Sequence, residues 1–258
     1  MNQYVDFNQE RWNNVSKKKG NAYSIPLSHE EFIYIKNNPI DVSLTIGKSV
    51  PNEWFTKAKG NKLLGLACGG GQQGPIFSAK GYDTTIMDFS EEQLNKDRMV
   101  AERENIIITT VQADMTRDFP FENETFDIIF CPVSNVYIED LENMWKESYR
   151  VLKPGGLLMV GYLNPWVYMY DGDIVWDQPD KELLLKYKLP FNSRQLEEDG
   201  NLIIDPEYGY EFSHTLEEQI GGQLKAGFAM IDFYESKDVR NRLTKYGSDY
   251  IANLSIKL

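Results

Sequence analysis

The chain has 258 residues, 41% of them hydrophobic, enough to bury one large core with some additional structure, so a single domain is expected. A net charge of −12 repels phosphate backbones, and the only basic run, Lys17-Lys18-Lys19, reads as a solvated helix end, so nucleic acid is not expected as a partner. The apolar runs are strand-length, neither end reads as a signal peptide, and the two cysteines and two histidines stand too far apart for a structural zinc site; a cytoplasmic protein with no membrane span and no metal is expected.

The segment before Lys62 carries Trp12, Tyr23, Tyr34 and Trp54, and Ser28-His29-Glu30-Glu31 is a capping box that starts a short helix. Leu63 to Leu66 then reads as a buried parallel strand that breaks into Ala67-Cys68-Gly69-Gly70-Gly71-Gln72-Gln73-Gly74, and Pro75 suits the first turn of the following helix. Gly69 to Gly74 satisfies G-x-G-x-x-G, a weak signal alone for a dinucleotide site. Thr84 to Asp88 is the next strand, and Asp88 closes it about twenty residues after the turn, the spacing of a carboxylate on ribose hydroxyls; a 2′-phosphate is disfavoured there.

Ser90-Glu91-Glu92-Gln93 is a second capping box, with Gln93 reaching back, and its helix runs to about Glu104. The β-branched run Ile106 to Val111 is a third strand that ends in Asp114 and Met115, and Phe126 to Pro132 is a fourth. A helix from about Glu139 to Tyr149 stops at Leu152-Lys153-Pro154-Gly155-Gly156, before a fifth strand from Leu157 to Tyr162. Cys68 and Cys131, at the ends of neighbouring strands, are expected to be reduced thiols lining a cofactor site. Thr215 to Glu218 is another capping box, with Ile220, Leu224 and Phe228 on a helical stripe ending at Gly227; Ala229 to Tyr234 and Tyr250 to Lys257 are the last strands.

Residues 60 to 164 resemble the class I S-adenosylmethionine-dependent methyltransferases, on four features in order: the glycine turn, Asp88, Asp114 and the leucine-lysine-proline-glycine-glycine turn. Leu216 to Tyr234 further resembles the tail of a bacterial group of these enzymes without an assigned substrate. The resemblance implies a Rossmann-like α/β fold, a doubly wound, mostly parallel seven-stranded sheet whose last strand is antiparallel. The domain would comprise an N-terminal helical cap over 1–60, a cofactor-binding core over 61–163, a substrate lid inserted at 164–213, and a last helix and strands over 214–258.

The cofactor implied is S-adenosylmethionine, with S-adenosylhomocysteine as product and methyl transfer to a small molecule by in-line displacement. In the family pattern Asp88 takes the ribose, Asp114 the exocyclic amine of adenine, and Met115 covers the ring. Ala67, Cys68, Gly69 and Gly71 would line the methionine and ribose side, with Phe89, Pro132 and Asn135 completing the cofactor wall. Gly65 stands where the family has its acid and Ala67 where it has its first glycine, so the grip on the methionine amino group departs from the pattern. Tyr23, Asn164 and Trp166 are candidate substrate contacts among the aromatic residues of the cap and lid, and Tyr137 and His214 are the candidate bases. A monomer or homodimer is expected. Two other functions fit the residues: an NAD-dependent oxidoreductase, which leaves Asp114 without a role, and a cofactor-binding protein of the same fold without catalysis.

Overall fold

The computed structural model describes residues 3–18, 20–172, 175 and 180–258, so Lys19 of the basic run and Trp176, one of the aromatic residues of the lid segment, lie outside the described residues. Helices α1 (Gln3–Lys17), α2 (His29–Asn37) and α3 (Asn52–Thr56) precede the sheet. Strands β1 (Lys62–Leu66), β2 (Asp83–Asp88), β3 (Thr109–Gln112), β4 (Phe126–Cys131) and β5 (Leu152–Leu163) run parallel, with α4 (Gln73–Ala79), α5 (Glu91–Glu104) and α6 (Glu142–Val151) among their crossovers. The long segment after β5 contains α7 (Ser193–Glu198), and α8 (Gly222–Ala226) leads into β6 (Phe228–Ser236) and β7 (Tyr250–Lys257). The strand order is β3-β2-β1-β4-β5-β7-β6, with β7 antiparallel to both neighbours: the expected seven-stranded mixed sheet.

Apolar residues fill nearly every position of the central strands because both sheet faces are covered. Every residue of β4 is buried. Leu64, Leu66, Ile129, Leu158 and Val160 pack against Met144 and Trp145 of α6 on one face, while Leu63, Ile128, Phe130 and Leu157 meet Trp54, Phe55 and Phe77 on the other. Successive residues thus alternate between two cores, the period of a strand.

Three element ends move from where the sequence places them. The run from Ile106 joins the sheet only at Thr109, because Asn105 turns left-handed (φ 52°) and Ile106 N–H donates to Ala101 O, closing α5 before the strand begins. Helix α6 starts at Glu142 rather than Glu139, after a 3₁₀ turn over Asn135–Tyr137, and continues to Val151. The proline-glycine turn is absorbed into β5, since Leu152 already pairs with Phe126.

The capping boxes at Ser28 and Thr215 form as expected: Glu31 N–H donates to Ser28 Oγ (3.2 Å), and Glu218 N–H to Thr215 Oγ1 (3.1 Å), with both glutamates answering. At Ser90 only half the box forms, since the Gln93 side chain is buried and accepts from the hydroxyls of Ser16 (2.5 Å) and Ser24 (3.1 Å). The stripe Ile220, Leu224, Phe228 is not the buried one: Leu224 is exposed and Phe228 belongs to β6. Residues Glu217–Gly221 are π-helical, which shifts the register, and Gln219 and Gln223 face inward instead. No helix among the described residues is long and apolar enough to cross a membrane.

Candidate active site

Strand order reverses between β1 and β4, and open α/β sheets take ligands in the crevice outside the carboxyl ends at such a point. A cavity of about 1550 Å³ opens there, walled by the ends of β1 to β4, by parts of the N-terminal segment and by the segment after β5.

The turn after β1 is built around backbone N–H groups. Ala67 adopts φ 49°, left-handed backbone in which a Cβ is strained, so the residue standing for the family's first glycine keeps a glycine-like conformation. Gly69 N–H donates to Asp88 Oδ2 (3.0 Å) and Gly70 N–H to Asp97 Oδ2 (3.0 Å). Residues 21–27 fold over this turn as a strap. Leu27 N–H donates to Gly71 O (2.9 Å), Gln72 Nε2 donates to Ala22 O and Ile25 O (2.7 Å each), and Lys96 Nζ donates to Ser24 O.

Tight packing, more than room for a ligand, therefore explains the triple glycine. Gly70 has φ 123°, and a Cβ there would stand 2.6 Å from the Tyr23 carbonyl oxygen. Of the three, only Gly69 reaches the cavity wall; Gly71 faces Pro26 and the backbone of Lys96, which corrects its placement on the cofactor side. The missing acid at Gly65 also has a steric cause, because a Cβ there would stand 2.5 Å from both Cys68 Sγ and Ile86 Cδ1. Cys68 fills that space on the wall, its thiol pushed well up by burial, whereas Cys131 lies in the core beside Ser134 and does not line the cavity. Both thiols are free.

Three carboxylates surround the turn and the next strand ends. Asp88, buried on the wall, accepts from Gly69 N–H and, at 2.9 Å, from Ser90 N–H, with the Phe89 amide also close, and the carboxylate keeps acceptor capacity for a further donor. Burial pushes its carboxyl up to about 6 against the pull of those amides. Asp97 lies under the glycine turn, wholly buried in α5, and burial pushes it up to about 7 although the Gly71 and Gly70 amides oppose this. Sequence reasoning missed Asp97; the signal was a carboxylate one turn after Gln93, on the helix face that also carries Leu94 and Ala101. Asp114 accepts from Thr116 N–H and Thr116 Oγ1 (2.8 Å each) and lines the cavity beside Met115. Phe89 and Pro132 are also on the wall.

The other side of the cavity differs from expectation more. Asn135 is fully buried, its Nδ2 donating to Gln219 Oε1 (2.7 Å), and it does not reach the wall. His214 is buried behind it with Nε2 donating to Asn135 O (3.2 Å); burial lowers its pKa, so it is a neutral structural donor away from the cavity and not a base. Asn164 Nδ2 and Trp166 Nε1 both donate to Ser248 O (3.3 and 3.0 Å), holding the β6–β7 connection rather than facing the cavity.

Tyr23 and Tyr137 do line the cavity. Tyr137 packs edge-on against Trp12 (5.5 Å), and burial raises its phenol far above neutrality, so it stays protonated. Trp12 is on the wall too, whereas Tyr34 is exposed and Trp54 is core, its Nε1 donating to Asp232 Oδ2 (2.8 Å). The segment after β5 supplies Tyr168, Tyr170, Tyr187 and Tyr208, but Tyr210 packs away against Tyr4. The wall residues not read from the sequence include Arg11, over the Trp12 ring at 4.4 Å, and Glu211, which accepts from Tyr168 Oη (3.0 Å).

A parallel sheet that reverses at a crevice, carboxylates closing its second and third strands, and an antiparallel far edge together define the Rossmann-like methyltransferase fold. The family described as methyltransferase domain matches residues 64–160. The uncharacterized methyltransferase YbaJ of Bacillus subtilis (strain 168) is 38% identical over 260 residues, covering 100% of both chains, and this chain belongs to the class I S-adenosylmethionine-dependent methyltransferases. Sterol 24-C-methyltransferase ERG6B of Gibberella zeae is 32% identical over 119 residues, 44% of this chain and 30% of its own length. The crystal structure of an S-adenosylmethionine-dependent methyltransferase from Clostridium acetobutylicum superposes with a TM-score of 0.59 over 99% of each chain at 16% identity. The residues present suit the cofactor of this family: Asp88 offers lone pairs to a diol, and Asp114 and Met115 follow in the right order along the same wall.

Proposed function

We propose that the enzyme methylates a small molecule enclosed in this cavity, by in-line displacement. One observation carries the reading: a single cavity of about 1550 Å³ extends from Gly69 and Asp88 to Tyr168 and Glu211. Ligand pockets commonly measure about 300–1,000 Å³, so the space suits two ligands side by side.

S-adenosylmethionine, when bound, supplies a methyl group already activated by its sulfonium. The protein's part is then to hold and exclude. Asp88 would accept from the ribose hydroxyls and Asp114 from the adenine amine, with Met115 against the ring and Phe89 and Pro132 beside it. Ala67, Cys68 and Gly69 would border the methionine side, and the strap over 21–27 would keep water from the turn. The proposal includes a cytoplasmic protein, a monomer or homodimer, with 164–213 acting as a substrate lid within one domain.

The test is to incubate the purified protein with methyl-labelled S-adenosylmethionine and a cell extract, then separate the products by size. Label in a low-mass product is expected. Label confined to protein, lipid or nucleic acid would contradict the small-molecule reading, and binding of S-adenosylhomocysteine without any labelled product would favour a protein that kept the site but not the reaction.

A further inference from the structure

Glu211 is held more firmly than a lid residue needs to be. Its N–H donates to Ser193 Oγ (2.9 Å), its carbonyl accepts from Ser193 N–H (3.2 Å), and the next residue, Phe212, donates its N–H to Val136 O (2.8 Å). The backbone at 211 is thereby fixed between the start of α7 and the segment after β4, and the carboxylate meets the cavity there. Aromatic side chains share the cavity wall with it. Tyr168 donates its hydroxyl to Glu211 and stacks on Phe191 (5.2 Å between centroids, 24° between planes), while Tyr137 and Trp12 form the edge-on pair already described.

Among the described residues, three cations share the cavity wall with Glu211, of which Arg240 is paired with Asp238 and Lys186 with Asp171. Arg11 is the nearby cation, but its guanidinium lies over the Trp12 and Tyr137 rings (4.4 and 5.4 Å) and its Nε donates to Glu207 O (2.8 Å). No ion pair among the described residues includes Glu211. Tyr137, Tyr168 and Tyr23 are the titratable neighbours, and burial raises all three phenols, so none gives up a proton near neutrality. A buried carboxylate without an ion pair, next to aromatic side chains on the cavity wall, is an environment that selects a cation and rejects a second carboxylate.

We infer that the methyl acceptor is an amine, bound as its ammonium ion among these rings, and that Glu211 is the catalytic residue that takes its proton. The inference rests on the small-molecule reading above. The ammonium N–H bond breaks, its proton passes to a Glu211 carboxylate oxygen, and the electron pair stays on nitrogen. That lone pair forms the N–CH₃ bond as the C–S bond of the donor breaks, with the electron pair of that bond remaining on sulfur. The product leaves as a methylated ammonium ion and Glu211 releases its proton to water. Burial pushes the Glu211 carboxyl above the ordinary carboxylate range, opposed by the Tyr168 hydrogen bond and the Arg11 charge, which makes it a better-matched base.

The experiment uses the full chain saturated with S-adenosylhomocysteine and titrated calorimetrically with three probes of one shape: 4-phenylbutylamine, 4-phenylbutanol and 4-phenylbutyrate. The amine is expected to bind on the order of tenfold more tightly than the alcohol, the effect of one charge-assisted contact, with the butyrate weakest. Glu211→Gln is expected to erase the amine preference while S-adenosylhomocysteine binds as before. Tyr168→Phe is expected to keep the preference and move the pH midpoint of amine binding upward, since the bond it removes stabilises the carboxylate. Equal binding of amine and butyrate by the wild type, or a preference surviving in Glu211→Gln, overturns the inference. Failure of S-adenosylhomocysteine to bind the wild type overturns the cofactor site itself, whereas its binding without amine preference overturns only the acceptor class. If Glu211→Gln does not fold, the wild-type ranking and the Tyr168→Phe shift decide.

Discussion

The two halves of the cavity are built in different ways. On the cofactor half, each functional group sits within three residues of a strand end, and the two carboxylates are held by their immediate surroundings: Asp88 by Ser90 and the adjoining turn, Asp114 by Thr116. The acceptor half is held across the chain. Asn8, fully buried in α1, donates Nδ2 to Tyr210 O (2.9 Å) and accepts Tyr210 N–H on Oδ1 (2.8 Å), doing for the lid what a neighbouring strand would do. Glu211, one residue on, takes its hydrogen bond from Tyr168, 43 positions away. Local construction leaves a motif, whereas construction by distant contacts leaves only the composition of the pieces.

Variants that damage one half and spare the other test this division. The largest effect is expected from Asp88→Ala, which unpairs Gly69 and Ser90 N–H and removes the acceptor for a diol. At about 1.5–3 kcal/mol for each hydrogen bond to a charged group, calorimetry should show S-adenosylhomocysteine affinity falling on the order of 100-fold or more. Amine probes should still be preferred over alcohols. Asn8→Ala is the converse, leaving the Tyr210 N–H and carbonyl without their partner at a cost of about 1–3 kcal/mol each. Denaturant unfolding should report that loss, limited proteolysis should cut first within 193–211, and cofactor affinity should change only slightly.

Gly70→Ala tests the strap. A Cβ 2.6 Å from Tyr23 O on backbone at φ 123° is expected to cost about 1–3 kcal/mol, read as a lower melting temperature and faster hydrogen exchange over residues 21–27. Asp97→Asn is expected to change how stability depends on pH. The folded-state carboxyl is raised to about 7 from the ordinary 3.8, so the native form holds its proton more tightly than the unfolded chain. The stability this brings is fully present below the ordinary value and is lost as pH rises through about 7. Melting temperatures measured from pH 5 to pH 8 should therefore fall less in Asp97→Asn than in the wild type. Asp88, raised to about 6, contributes a slope of the same sign in both.

The same division explains what the sequence revealed. The order of the strands, the glycine turn, the capping boxes at Ser28 and Thr215 and Asp88 at a strand end follow from spacing and local chemistry, Asp114 and Met115 follow from the family pattern, and Asp88, Asp114 and Met115 line the cavity. Asn135, Asn164 and Trp166 were misplaced for one reason. A polar or aromatic side chain just beyond a strand points toward the site or into the structure according to partners elsewhere in the chain, here Gln219 for Asn135 and Ser248 for Asn164 and Trp166. The π-helical turn at Glu217–Gly221 misled in another way, because extrapolating a 3.6-residue period across it exchanges the buried Gln219 and Gln223 for the exposed Leu224. Glu211 left no local sign, since its setting is made by Ser193, Val136 and Tyr168.

The most direct measurement is a crystal structure of the protein with S-adenosylhomocysteine. The ribose hydroxyls are expected on the Asp88 carboxylate, the adenine amine on Asp114 with Met115 over the ring, and the sulfur facing the aromatic half that contains Tyr168 and Glu211. A ligand seated away from Asp88 and Asp114, or one whose sulfur faces away from that aromatic half, would contradict the division of the cavity into a cofactor half and an acceptor half.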